Sequence, residues 1–71
     1  MPKLPVISGA DCIKALQKSG FEIVGQKGSH VKLRWGSVTV IVTRHKTLDR
    51  GTLKGIIDQA GLTAAEFIGL L

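Results

Sequence analysis

The stretch His30-Val31-Lys32-Leu33-Arg34-Trp35-Gly36-Ser37-Val38-Thr39-Val40-Ile41-Val42-Thr43 decides the fold. Its first six residues alternate, with Val31, Leu33 and Trp35 on one side and His30, Lys32 and Arg34 on the other. Side chains on a strand point to opposite faces at successive positions, so this is a strand with one apolar and one basic face. Gly36-Ser37 then supplies a two-residue hairpin connection, with glycine first as a type II′ turn prefers. Ser37 to Thr43 is rich in β-branched residues and makes the returning strand.

Outward from this hairpin the chain supplies one more strand and three helices. Phe21 to Gln26 reads as a short strand, with Phe21 and Ile23 on one face and Glu22 on the other, and Lys27-Gly28-Ser29 is the turn into His30. Before it, Ser8 is placed to cap a helix over roughly 9–19, with Asp11 at the position of a variant capping box. Cys12, Ile13, Ala15 and Leu16 form that helix's apolar stripe, and Gly20 suits its C-terminal cap. After the hairpin, 44–50 is a polar, basic loop. Leu53, Ile56, Ile57 and Ala60 then fall at i, i+3, i+4 and i+7 on a helix starting at Gly51 or Thr52 and ended by Gly61. Thr63 and Glu66 make a capping box for a last short helix carrying Ala64, Phe67, Ile68 and Leu71 at the same spacing. Pro2 and Pro5 keep the first residues extended.

The order α-β-β-β-α-α predicts an α+β single domain over 1–71, a three-stranded antiparallel sheet with helices on one face. The other face, which carries His30, Lys32 and Arg34, stays open to solvent.

Seventy-one residues bound the core to a small one. Cys12 is the only cysteine, so no disulfide closes within the chain, and it fits a reducing compartment. Cys12, His30 and His45 show no paired ligand spacing, and neither a metal nor a cofactor is expected. The opening Met1-Pro2-Lys3-Leu4-Pro5 has no apolar run or cleavage pattern of a leader, and no stretch is long enough to cross a bilayer, so a cytoplasmic protein is expected. Ten Lys and Arg against five Asp and Glu give a net charge of +5, which points to a polyanion or an acidic protein as partner.

Beyond periodicity, several motifs carry a resemblance. Leu4-Pro5-Val6-Ile7-Ser8-Gly9, then Gly20-Phe21 followed by Gln26-Lys27-Gly28-Ser29-His30, then Gly51-Thr52-Leu53 with Ile56-Ile57 and Gln59-Ala60-Gly61-Leu62 resemble, in order and spacing, the HicA-type (YcfA-type) toxins. The resemblance implies a fold similar to the double-stranded RNA-binding domain. It implies an mRNA interferase, an endoribonuclease of a type II toxin–antitoxin system that stops translation, and a HicB-type antitoxin as partner. It places the family's catalytic histidine on His30. One departure lies at the strand end before the basic loop, where many relatives carry proline and this chain has Thr43-Arg44.

The chemistry suits these residue types. RNA carries its own nucleophile, the 2′-hydroxyl, so cleavage without a metal needs a base, an acid for the leaving 5′-oxygen and cations for the phosphate. Histidine as a residue type titrates near neutrality and serves either proton role. Lys27, Lys32 and Arg34 surround His30 and are expected to contact RNA, together with Gly28, Ser29, Arg44, His45 and Lys46. The second proton carrier stays open between His45, Lys27 and water.

Each residue also has a plainer reading. Lys32 and Arg34 are also the solvated face of a half-buried strand, His45 a solvated loop histidine, and Gly28 a turn residue. Trp35 shares the parity of Val31 and Leu33, which favours packing in the core or at its edge over stacking on a base. Cys12 reads as a buried structural thiol. The competing function is a non-catalytic RNA-binding module of the same fold, and a third is a protein-interaction domain. The chain alone is expected to be a monomer.

Overall fold

The computed structural model describes residues 3–71. The elements run α1 (Gly9–Ser19), β1 (Glu22–Lys27), β2 (His30–Trp35), β3 (Val38–Thr43), α2 (Arg50–Ala60) and α3 (Ala64–Gly69). The strands form one antiparallel sheet in the order β1-β2-β3, and α1 and α2 pack against β3. This is the α+β architecture expected from the hairpin outward.

The helices begin where their caps dictate. Ser8 accepts from the backbone N–H of Asp11 at 3.1 Å, and Thr63 and Glu66 form both halves of the capping box on α3. α2 starts earlier than the apolar spacing suggests, because Asp49 is its N-cap and accepts from the Thr52 N–H at 2.7 Å. The preceding loop is also less polar than its composition implies. Leu48 is buried, and its N–H donates to the Ile7 carbonyl at 2.7 Å in an isolated bridge with the N-terminal lead-in. Arg50 serves that strap too, donating from Nε to the Leu4 carbonyl at 2.8 Å.

The core lies between the sheet and the helices. Val31, Leu33, Val40 and Val42 meet Cys12, Leu16, Leu53, Ile57 and Phe67, all at most 1% exposed. Trp35 departs from this set. It has the same parity as Leu33 but is 57% exposed, lying tilted on Phe21 with ring centroids 6.2 Å apart. The indole lies over Phe21 and beside Gly20, the C-cap of α1, so it covers the core's edge and is no part of the core itself. Burial pushes the Cys12 thiol up to about 12, which leaves it protonated and unreactive at neutral pH.

Two predictions follow from these contacts. A Cβ at Gly9 would lie 1.9 Å from the Thr43 carbonyl oxygen and 2.9 Å from the Arg44 Cα, both backbone atoms. Helix propensity favours alanine by about 0.5–1 kcal/mol, but backbone cannot yield as a flexible side chain can. Gly9→Ala is therefore expected to lower the urea midpoint and to speed amide exchange in segment 43–46; a raised midpoint would reverse this ranking.

The second concerns acid. The Thr52 backbone N–H, then its hydroxyl, hold the Asp49 carboxyl below its usual 3.8. The Thr63 backbone N–H, then its hydroxyl, do the same for Glu66 relative to 4.5. A carboxylate depressed on folding stabilises fully above its unfolded value and loses that contribution as pH falls through the folded value. Melting temperature should hold from neutrality to about pH 5 and fall below it, and Asp49→Asn with Glu66→Gln should flatten that acid limb.

Candidate active site

β2 places His30, Lys32 and Arg34 on the face away from the helices, all exposed, while Val31 and Leu33 beneath them are fully buried. On β3, His30 faces Thr43, Lys32 faces Ile41 and Arg34 faces Thr39. The open face thus carries a central basic row against Thr39, Ile41 and Thr43.

β1 reaches the same face by an irregularity that its composition hides. Glu22 pairs with Arg34 and Ile23 with Leu33, and then Gly25, not Val24, pairs with Lys32. Val24 is the extra residue of a bulge, and an extra residue reverses the facing of everything after it. Strict alternation from Phe21 and Ile23 would send Gly25 and Lys27 to the helix side. The bulge turns both to the open side, where Lys27 stands directly across from His30.

The result is a shallow depression of about 200 Å³ lined by Gly25, Gln26, Lys27, His30, Lys32 and Ile41. Its end is fixed by the Gly28-Ser29 turn. Gly28 has φ +60°, which side-chain-bearing residues resist, and the Gln26 side-chain amide donates to the Gly28 carbonyl at 3.1 Å. The Arg44 N–H donates to the Ser29 carbonyl at 2.7 Å, extending the β2–β3 ladder one step past His30. A proline at 44 could not make that bond, so Thr43-Arg44 gives the strand end a continuous ladder.

Not every expected residue gathers here. Lys27, Lys32 and His30 do, and Gly28, Ser29 and Arg44 border them through the turn. Arg34 sits four residues along the strand from His30, roughly 13 Å away. Its Nε donates to the Gly36 carbonyl at 3.1 Å, beside Glu22 across the sheet. His45 and Lys46 are exposed on the loop, and the His45 carbonyl accepts from the Gly9 N–H at 2.9 Å, which ties the loop to α1. Neither lines the depression. Gly25 and Ile41 line it without having been singled out from sequence. The available signals were a glycine inside a strand and one apolar residue among the threonines of β3's outer face.

Among the described residues the one ion pair is Lys54 Nζ–Asp58 Oδ1 on α2, at 2.6 Å. Lys27, Lys32 and Arg44 hold no carboxylate, so their charge faces solvent around His30. No helix among the described residues is long and apolar enough to cross a membrane.

The class these features define is a small α+β domain with an open sheet face that bears a cationic cleft and a histidine at its end. Within that class the family profile described as "HicA toxin of bacterial toxin-antitoxin" matches residues 9–62, from the start of α1 to just past α2. The chain belongs to the HicA toxin family and is the toxin component of a toxin–antitoxin system, with an antitoxin as its partner. No curated protein sequence matches it.

If the exposed cations meet phosphate, their loss should show in salt dependence. Lys27→Ala and Lys32→Ala are each expected to reduce the slope of log affinity against log salt by about 0.7 for single-stranded RNA. Arg34→Ala, remote from the cleft and held by Gly36, should change it less. Equal slopes for all three would place binding elsewhere.

Proposed function

We propose that this protein is an endoribonuclease that cleaves mRNA in the cytoplasm and so inhibits translation, with His30 as the catalytic residue. The observation that carries the reading is the pairing of Lys27 with His30 across the two-residue Gly28-Ser29 turn, which gives one histidine a cation on the neighbouring strand of an open, cleft-bearing face. The family match supports the toxin role. An exposed histidine flanked by lysines needs no such arrangement for stability.

In the proposed reaction His30 accepts the proton of the substrate's 2′-hydroxyl as that oxygen attacks the adjacent phosphorus. The P–O5′ bond breaks, and the departing O5′ takes up a proton. The products are a 2′,3′-cyclic phosphate and a 5′-hydroxyl. Lys27 and Lys32 hold the phosphate and offset the charge that builds on it. The register favours Lys27 over His45 as the group nearest the leaving oxygen, because Lys27 lines the cleft and His45 does not. Gly28, Ser29 and Arg44 frame the strand's entry to the site, and His45 and Lys46 extend the basic surface along it. A HicB-type antitoxin would silence the protein by covering this face.

The test is cleavage of a defined transcript by purified wild type and His30→Ala, with melts in parallel. His30 is exposed and its loss should change stability by no more than about 0.5 kcal/mol. Cleavage should fall by about 10²- to 10⁴-fold, the usual worth of one acid–base group, while RNA and antitoxin binding persist. Wild-type cutting should continue in EDTA and stop on RNA with a 2′-deoxy nucleotide at the cleaved position. Equal cleavage by both proteins would remove His30 from the chemistry. RNA binding without any cleavage by wild type would favour the binding-module reading.

A further inference from the structure

We propose that Gly25 and Ile41 form a slot for one nucleobase of the bound RNA, beside the phosphate held at Lys27 and Lys32. The inference rests on the nucleic-acid reading of the open face and adds to it the residues that grip a base.

Gly25 adjoins the bulge, but neither its backbone angle nor the space around it requires glycine. Its φ is not positive, and a Cβ built on it meets nothing within 4 Å. Glycine inside a strand weakens it and buries nothing, and such a glycine commonly marks the close approach of a ligand. The bulge at Val24 turns Gly25 to the open face, opposite Lys32, where the missing side chain becomes the floor of the cleft. A bulge beside a binding site is a recurrent way to re-aim a strand's residues.

Ile41 supplies the wall. It is 53% exposed between Thr39 and Thr43 on a face otherwise polar at β2 and β3, and it stands directly across from Lys32. Gly25 and Ile41 thus flank Lys32 on the two neighbouring strands, and the three line one depression crossed by the lysine stem, with the histidine at one end. The cleft's 200 Å³ or so lies below the range of pockets that enclose drug-sized ligands, which suits a single flat ring system. A base next to a phosphate offers such a ring, a polyanionic backbone for the lysines, and a π-face indifferent to sequence. An acidic peptide would match the lysines but leave the apolar floor and wall unexplained.

The experiment compares two ligands that cannot be cut. One is a short 2′-O-methyl oligoribonucleotide of mixed sequence, the other an abasic ribose-phosphate strand of equal length. Wild type should bind the base-bearing strand at least about threefold more tightly, less than an aromatic platform would give because the base meets an aliphatic side chain. Gly25→Val fills the floor, and Ile41→Thr removes the apolar wall while keeping a β-branched strand residue. Both should narrow the preference toward unity and leave affinity for the abasic strand within about twofold. Melts should show Gly25→Val at least as stable as wild type, since valine favours strands and its Cβ meets no neighbour. Cleavage is followed in parallel, with a raised KM expected for both variants. If wild type cuts no RNA yet shows the base preference and the variants lose it, the nuclease reading fails and the slot stands. An unchanged preference in both variants overturns the slot whether or not wild type cuts. So does an unchanged preference joined to weakened antitoxin binding, which would give the cleft to a protein side chain.

Discussion

The structure depends on the burial of Val31 and Leu33. β2 is the central strand, and these two side chains have no exposure beneath α1 and α2. Burying a valine or leucine contributes about 1.5–3 kcal/mol each. A slip of one residue would exchange them for Lys32 and Arg34, placing cations in a core that contains no buried polar or charged residue among those described. The register of β2 is therefore fixed by both what it buries and what it refuses. That fixes His30, at the strand's first position, on the open face.

β1 is held less firmly. It is an edge strand, and Ile23, though across from Leu33, is 41% exposed. With little burial to enforce strict alternation, an extra residue at Val24 costs little there, whereas in β2 it would expose the core. The bulge falls on the strand that can absorb it, and its consequence is felt at the site. Three residues of β1 change face, and one of them is the lysine opposite His30.

This difference between strands also explains what could be read from residues alone. β2, β3 and the three helices bury one face each, and burial leaves a periodic trace: Val31 and Leu33 at spacing two, Leu53, Ile56, Ile57 and Ala60 at helical spacing. The element order and the facing of His30 follow from those traces. Trp35 carries the trace without the burial, because parity states which side a residue takes and not how far the covering helices extend. Asp49 escaped notice as a cap because α2's apolar spacing begins only at Leu53. The bulge left a single compositional hint, Gly25 inside the strand, since Val24 is an ordinary strand residue. So the place of Gly25 on the open face, and the exclusion of Arg34 and His45 from the cleft, emerge only from pairing in three dimensions.

An open sheet face has no second layer to hold its side chains, so the site's rigidity has to come from its ends. The Ser29 carbonyl is bonded to the Arg44 N–H, the Gly28 carbonyl to Gln26, and the next loop residue, His45, to the first N–H of α1. Gly9 lets that helix end sit against the Thr43 carbonyl, closer than any side chain would permit. α1 is at the same time a core element through Cys12, Ile13 and Leu16. The turn beside His30 is thus connected to the hydrophobic core by two backbone hydrogen bonds and one glycine contact, with no functional side chain among them. The buried side chains that form the core and the exposed basic side chains of the cleft are separate sets in this chain. That separation lets a chain of 71 residues keep a wholly apolar core and still expose a cationic cleft. It also locates the site's weak point at the 43–45 segment, where core and cleft meet through backbone alone.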